Sequence, residues 1–248
     1  MLKTYQILGC SAGIPTEDRN VTSLVISLSK FDIMIDCGEG TYIEWKKAGY
    51  KWKTLRYILI THMHPDHTAG IIPLLFYRKI LSINNDLTII GPPDLRLFLI
   101  DSFKYLGIKD KINYKYIDVS KKPNHIISDD INIINDKMSH KISCWGYRIQ
   151  DKNKSLVFIT DTRSTLNAVQ LAQKADILIH EATYDHSMHN IAYKQFHSTN
   201  IQAMEIADAA EVNHLILTHF SPRLSDKELK KWIWNGKKCV VFNKKQKI

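Results

Sequence analysis

The segment Thr61-His62-Met63-His64-Pro65-Asp66-His67 constrains this chain more than any other, because it packs four potential metal ligands into six positions. It follows Tyr57-Ile58-Leu59-Ile60, an apolar, β-branched run that reads as a buried strand. Ligands crowded at a strand's end cannot wrap one ion as a helical i, i+4 pair would. They splay, so that alternate side chains reach two neighbouring ions. Imidazole and carboxylate together suit zinc, manganese or iron.

The bulk properties set wide bounds. A length of 248 residues, 44% hydrophobic and 24% charged, suits an ordinary globular protein with a sizeable core. No apolar run approaches a membrane-spanning helix, and Met1-Leu2-Lys3-Thr4-Tyr5-Gln6 enters a strand with no signal-peptide pattern. Cys10, Cys37, Cys144 and Cys239 are widely spaced and form no CxxC pair, which reads as reduced thiols in a cytoplasmic protein. The net charge of +9 favours an anionic partner, although the lysines are spread along the chain. Their one dense region, Lys237-Lys238 and Lys244-Lys245-Gln246-Lys247, reads as a solvated terminus rather than a nucleic-acid contact.

No linker, low-complexity tract or repeat divides residues 1–248, so one domain is expected. Strands are expected at 5–8, 24–28, 31–35, 57–60, 87–90, 115–118, 131–134, 145–149, 156–159, 177–179 and 215–217. Helices are expected at 41–48, stopped by Gly49, at 69–79 despite Pro73, at 199–210, and from Asp94, Ser164 and Asp226. Strands bunch first and then alternate with helices, in both halves. That order predicts an α/β fold with two sheets face to face and helices outside, a four-layer αββα sandwich.

Polar residues recur immediately after these strands. Asp36 ends Ile33-Met34-Ile35, His62 follows Ile60-Thr61, and Asp161 follows Phe158-Ile159-Thr160. His180 and Glu181 follow Ile177-Leu178-Ile179, His219 follows Leu217-Thr218, and His140 lies in a loop before residues 144–150. Loops gathered at one edge of a rigid sheet are where sites are usually built. Adding His140, Asp161 and His219 to the first cluster gives seven ligands, enough for two ions if one carboxylate bridges them. Asp161 is the candidate bridge.

These residues resemble the metallo-β-lactamase superfamily and, within it, ribonuclease Z, the tRNA 3′-processing endonuclease. The resemblance runs from Gly9-Cys10-Ser11-Ala12-Gly13-Ile14-Pro15 and Arg19-Asn20-Val21-Thr22-Ser23, through Asp36-Cys37-Gly38-Glu39-Gly40-Thr41, to the histidine cluster. It resumes at Ser139-His140, Gly146-Tyr147-Arg148-Ile149 and Asp161-Thr162-Arg163. It closes with His180-Glu181-Ala182-Thr183-Tyr184, His197-Ser198-Thr199 and Thr218-His219-Phe220-Ser221-Pro222-Arg223. The resemblance implies one metal on His62, His64 and His140. It implies a second on Asp66, His67 and His219, with Asp161 shared. Glu181 and His197 would form a proton-transfer pair, with Asp66 also serving catalysis, and Arg223 would hold a phosphate oxygen. Two zinc ions, or manganese in their place, would acidify water and neutralise phosphate charge. A homodimer is implied as well.

One departure bears on substrate. Ribonuclease Z carries a long Gly/Pro-rich arm that clamps tRNA between the strands matching residues 146–149 and 156–159. Here Gln150-Asp151-Lys152-Asn153-Lys154 makes only a hairpin turn. Without the arm, much of the binding energy for a folded RNA is missing. Armless relatives include the anti-Pycsar proteins, which hydrolyse 3′,5′-cyclic mononucleotides and break the same bond between phosphorus and O3′. The expected substrate is therefore a small nucleotide, with tRNA as the alternative and no membrane partner.

Other polar residues have plainer expectations. His180 finds no place among the ligands and reads as buried support, while Asp36 would orient an imidazole or its loop. His197 has a competing role as a helix-entry residue before Ser198 or Thr199. His125, His186, His189 and His214 read as non-catalytic. Gly9, Gly13, Gly38 and Gly40 look like a phosphate cradle, though turn geometry explains them as well. Trp45, Trp52, Trp145, Trp232 and Trp234 read as core or a subunit interface.

Overall fold

A computed structural model of the chain describes residues 1–108, 112–128, 130–240 and 245–248. Its early segments build strands β1 (Leu2–Gly9), β2 (Ser23–Leu28), β3 (Asp32–Ile35), β4 (Leu55–Leu59), β5 (Thr88–Gly91) and β6 (Lys115–Asp118). Between them lie helices α1 (Thr41–Lys47), α2 (Pro65–Thr68), α3 (Ile71–Ile80) and α4 (Pro93–Tyr105). The later segments supply β7 (Asn124–Ser128), β8 (Ile131–Met138), β9 (Cys144–Gln150), β10 (Ser155–Ile159), β11 (Ile177–Glu181) and β12 (His214–Thr218). They also supply α5 (Leu166–Ala172), α6 (His189–Gln195), α7 (Asn200–Ala209) and α8 (Asp226–Leu229). A small hairpin, β13 (Ile233–Trp234) and β14 (Lys237–Lys238), and β15 (Lys245–Lys247) follow.

Among the described residues the main strands form two mixed sheets, ordered β15-β1-β2-β3-β4-β5-β6 and β12-β11-β10-β9-β8-β7. Each changes from antiparallel to parallel pairing, at β3–β4 in the first and at β10–β11 in the second. Period-2 alternation decides which face meets which layer. In β3, Met34 packs outward with Trp45, Leu74 and Leu99 of the helices, whereas Ile33 and Ile35 join the core between the sheets. That central core takes Leu24, Ile26, Leu59 and Ile90 from one sheet and Ile133, Tyr147, Ile149 and Phe158 from the other. Ala168 and Leu171 of α5 and Ala203, Ile206 and Ala207 of α7 cover the outer face of the second sheet. The result is the four-layer αββα sandwich.

Several boundaries differ from the sequence expectations for identifiable reasons. The helix expected across 69–79 is α3, which begins two residues late at Ile71 because Gly70 is its N-cap; the separate turn α2 ends before it at Thr68. Pro73 then falls in the first turn of α3, where its missing N–H donor costs no intrahelical hydrogen bond. Asp66 and His67 sit on the helical turn α2, not on an extended loop end. The helix expected from Ser164 begins at Leu166 behind the cap Thr165, and the last helix is the single turn α8. His180 and Glu181 lie inside β11, not beyond it. Of the basic tail, Lys244 lies outside the described residues. β15 pairs antiparallel with β1, which makes this segment a sheet edge instead of a free terminus. Trp45, Trp145 and Trp234 are buried, while Trp52 and Trp232 are half-buried. Among the described residues no helix is long and apolar enough to cross a membrane.

Candidate metal centre

The carboxyl ends of β3, β4, β10, β11 and β12 converge on one edge of the sandwich. Three residues there take the left-handed region, which non-glycine residues rarely adopt: Asp36 (φ 58), Asp161 (φ 49) and His219 (φ 56). Each turns the chain sharply off its strand and aims a side chain inward. Such bends cost of order 1–3 kcal/mol and persist only where surrounding bonds enforce them. At Asp36 the enforcing bonds are visible: Asp36 N donates to Leu59 O, and Cys37 N donates to His67 O.

Two sets of donors face one another at the edge. In the first, His62 Nε2 lies 3.0 Å from His64 Nδ1, and His140 Nε2 lies 3.2 Å from the same atom. Asp161 Oδ2 is 3.6 Å from both His62 Nε2 and His140 Nε2. In the second, Asp66 Oδ2 is 3.3 Å from both His67 Nε2 and His219 Nε2. Asp161 Oδ1 is 3.2 Å from His67 Nε2 and 3.3 Å from His219 Nε2. Donors of a tetrahedral ion with bonds of about 2.0–2.2 Å lie roughly 3.3–3.6 Å apart; the second set is within 0.1 Å of that range, and the first, with its His62–His64 pair at 3.0 Å, is slightly tighter. Asp161 turns a different oxygen to each set. His67 Nε2 is buried without a hydrogen-bond partner, although two carboxylate oxygens stand beside it. An orphaned nitrogen in such a place fits a divalent metal.

The charge states agree. Burial, with the neighbouring imidazoles, holds His62 well below the usual histidine range, and burial likewise lowers His64 and His140. These rings offer lone pairs. Burial opposes ionisation of Asp66 and Asp161, but the surrounding imidazoles outweigh it and keep both carboxyls ionised. His67 goes the other way. Burial would lower it, yet Asp161, Asp66 and Asp36 together raise it well above its ordinary value. A proton there stands in for the positive charge that a cation would bring, because metal binding requires neutral imidazole.

Four of the five candidate donor imidazoles have their second nitrogen engaged, which fixes the ring's direction. His67 Nδ1 lies 2.7 Å from Asp36 Oδ2, and His62 Nδ1 lies 3.0 Å from Thr61 Oγ1. His140 Nδ1 meets Phe196 O at 3.2 Å, and His219 Nδ1 meets Thr183 Oγ1 at 2.9 Å. His64, which faces the set through Nδ1, is the exception. Asp36 therefore orients an imidazole, as its position after β3 suggests.

Beside the second set, His197 Nδ1 lies 3.0 Å from Glu181 Oε1, which also accepts from Thr162 N. Burial disfavours a charge on His197, but the pull and hydrogen bond of Glu181, with Asp161 and Asp66, raise the ring to about 9. His197 precedes the helix without capping it; Thr199 does that for α7. Arg223 is exposed and lines a cavity of about 510 Å³ together with Ile14, His64, Tyr184 and His197.

Several contributors were not apparent from the sequence. Gly13 N donates to Asp66 Oδ2 at 2.7 Å, and the Phe196 carbonyl orients His140. Backbone groups carry no sequence signal. Arg163 stacks on Tyr193 and Phe196, 3.9 and 3.7 Å from their ring centroids, and so braces the turn before His197. Thr61 and Thr183 adjoin motif residues, and that adjacency was the available clue. Close backbone packing is sufficient to account for Gly9 and Gly38. A Cβ on Gly9 would meet Val21 O, and one on Gly38 would meet Asp66 O. His180 is fully buried, with Nδ1 2.7 Å from Glu181 O, and His125 pairs with Asn135. His186, His189 and His214 are exposed.

Comparison with known proteins agrees with this architecture. Residues 32–220 match the family described as a β-lactamase superfamily domain. Ribonuclease BN of Proteus mirabilis is 31% identical, over 89% of this chain and 90% of its own length. That alignment runs to 274 positions, more than this chain has residues, so the relative carries segments that are missing here. The short form of human tRNase Z is 25% identical with a TM-score of 0.79, covering 89% of this chain and 93% of that one. The metallo-β-lactamase fold protein YhfI of Bacillus subtilis is 22% identical and shares the fold across 100% of both chains, with a TM-score of 0.84.

Proposed function

Because this chain belongs to the β-lactamase superfamily and is ribonuclease Z-like within it, we propose that it is a dinuclear zinc phosphodiesterase opening 3′,5′-cyclic nucleoside monophosphates to 5′-monophosphates. It is a metal-dependent hydrolase acting on phosphodiester bonds. The observation that carries the narrower reading is the link from β9 to β10, only residues 151–154, closed by Asp151 N donating to Lys154 O. A tRNA-gripping arm has no place in so short a turn, and a cavity of about 510 Å³ suits a mononucleotide.

His62, His64 and His140 would hold one ion and Asp66, His67 and His219 the other, with Asp161 shared. When bound, two divalent cations acidify water and offset phosphate charge. The chain's own groups do the rest. Arg223 at the cavity rim pairs with a non-bridging phosphate oxygen and aligns the ring. His197, held through Nδ1 by Glu181, gives its other ring proton to O3′ as the phosphorus–O3′ bond breaks. The oxygen of water ends on phosphorus, and its proton restores His197. Manganese fits the same donors. Four buried free thiols suit the cytoplasm, and a homodimer is part of the same reading.

The second reading, tRNA 3′-end cleavage, is favoured by 31% identity to a ribonuclease and a net charge of +9. One experiment separates the two. Zinc-loaded protein is incubated in parallel with a panel of 3′,5′-cyclic mononucleotides and with a precursor tRNA at physiological salt. Release of 5′-monophosphates supports the first reading. Trailer release from the tRNA, with every cyclic nucleotide intact, replaces it with the second.

A further inference from the structure

We infer that the Thr183 hydroxyl is a positioning group that couples the proton-donor pair to the metal centre, carrying the hold of Glu181 onto the outward nitrogen of His219. The inference rests on the dinuclear reading above. Thr183 Oγ1 lies 2.6 Å from Glu181 Oε2 and 2.9 Å from His219 Nδ1. It is also 3.3 Å from His197 Nδ1. All of this is buried: Thr183 is 3% exposed, Glu181 0% and His219 1%.

A hydroxyl has one proton to give and two lone pairs to receive with. Ionised Glu181 can only accept, so the Thr183 proton goes to Oε2 and its lone pairs remain for N–H donors. His219 must then carry its proton on Nδ1. That leaves the lone pair on Nε2, which stands 3.3 Å from Asp66 Oδ2 and from Asp161 Oδ1. The tautomer needed for ligation is thus set by a carboxylate two steps away.

The same device occurs on the other sheet. Thr61 Oγ1 donates to the Asp36 carboxylate, 2.9 Å from Oδ2 and 3.1 Å from Oδ1, and lies 3.0 Å from His62 Nδ1. Asp36 meanwhile holds His67 directly. In each half, one buried carboxylate grips one imidazole itself and a second through a threonine. Only in the Glu181 half is the directly held imidazole the proton donor. Glu181 therefore serves both the proton donor and a ligand, and Thr183 is where the two roles can be separated.

The test compares Thr183→Val, which keeps the shape and removes the hydroxyl, with Thr183→Ser, which keeps the hydroxyl. Zinc affinity of each equivalent is measured by chelator competition, and kcat and KM are measured in parallel. Thr183→Val should weaken one of the two equivalents by about 10–100-fold and leave the other within a few-fold. Its kcat should fall more than its KM changes, and Thr183→Ser should recover both properties. Wild-type affinities in Thr183→Val, or equal impairment of Ser and Val, would overturn the inference. The affinity comparison needs no cyclic-nucleotide turnover, so it can fail while the substrate reading stands, and the converse also holds.

Discussion

Replacing Gly38 with alanine should damage one metal position selectively, through backbone displacement alone. A methyl built on Gly38 would lie 2.2 Å from the Asp66 carbonyl oxygen and 2.5 Å from Val21 Cγ2. Real Cβ atoms essentially never come within 3.0 Å of such a neighbour, so the carbonyl must retreat from 2.2 to at least 3.0 Å, a shift of 0.8 Å. Little freedom exists to absorb it. Cys37 N is bonded to His67 O at 2.8 Å and Gly70 N to Cys37 O at 2.8 Å, which ties the two loops together on either side. Ligand distances at a metal tolerate only about 0.2 Å, so Asp66 and His67 should lose their geometry. The overpacking itself should cost about 1–3 kcal/mol, which lowers the melting temperature by roughly 3–9 °C for a chain of this size. We expect affinity for the ion held by Asp66, His67 and His219 to drop by at least about tenfold. The ion on His62, His64 and His140 should be affected less. Chelator competition and thermal melting of the metal-free protein measure both quantities. Gly49→Ala is the control, since it has open space around it and a φ of 79, so it strains the backbone far from the site. If Gly38→Ala bound both equivalents like wild type, the account of the two interlocked loops would be refuted.

Other outcomes follow from the same geometry. His197→Ala should lower cyclic-nucleotide turnover by about 10²–10⁴-fold at unchanged zinc content; a lost equivalent in elemental analysis would reassign the residue. The neighbours of His197 raise it to about 9, so its proton is present at neutral pH and is removed as pH rises through that value. Bound cations offset the carboxylates that share in raising it, so the break should fall at or below about 9. A pH–rate profile should show this alkaline limb for cyclic nucleotides but not for bis(p-nitrophenyl) phosphate, whose leaving group needs no proton. The same limb for both substrates would exclude general-acid assistance. Asp36→Asn removes the anionic partner of His67 Nδ1 and should weaken zinc binding about 10–100-fold, read by chelator competition. Unchanged affinity would contradict the orienting role. Chelation should abolish activity. At free zinc about 100-fold above Kd, removing one ion withdraws about 2.7 kcal/mol, a fall of roughly 5–10 °C in melting temperature.

Much of the site was legible because its donors sit where local pattern is strongest. His62, His64 and His67 share a motif, and Asp161 and His219 follow apolar runs whose strand character is unambiguous. The fold was legible for the same reason: Ile33-Met34-Ile35 and Val157-Phe158-Ile159 admit few alternatives to buried strands. What escaped was carried by backbone atoms or by distant pairing. The Gly13 amide and the Phe196 carbonyl leave no trace in residue identity. β7 was missed because Asn124, His125 and Ser128 dilute its alternation, and it is held mainly by its ladder with β8. α6 was missed because only Ala192 on it is buried, which gives no periodic apolar face. β15 draws its partner from the opposite end of the chain, a pairing that no window of sequence can reveal.

The donor set is poor in carboxylates. Asp66 and Asp161 are the anionic members among five imidazoles, fewer negative charges than a pair of divalent ions brings. Loaded with two divalent ions, as proposed above, the centre would stay net positive and attract its ligands partly by valence. A cyclic nucleotide diester, the substrate proposed above, carries a single negative charge, whereas a monoester product approaches two. On that reading, the reaction would make the more tightly held ligand of the pair, so the 5′-monophosphate should compete with its own substrate for the loaded cavity.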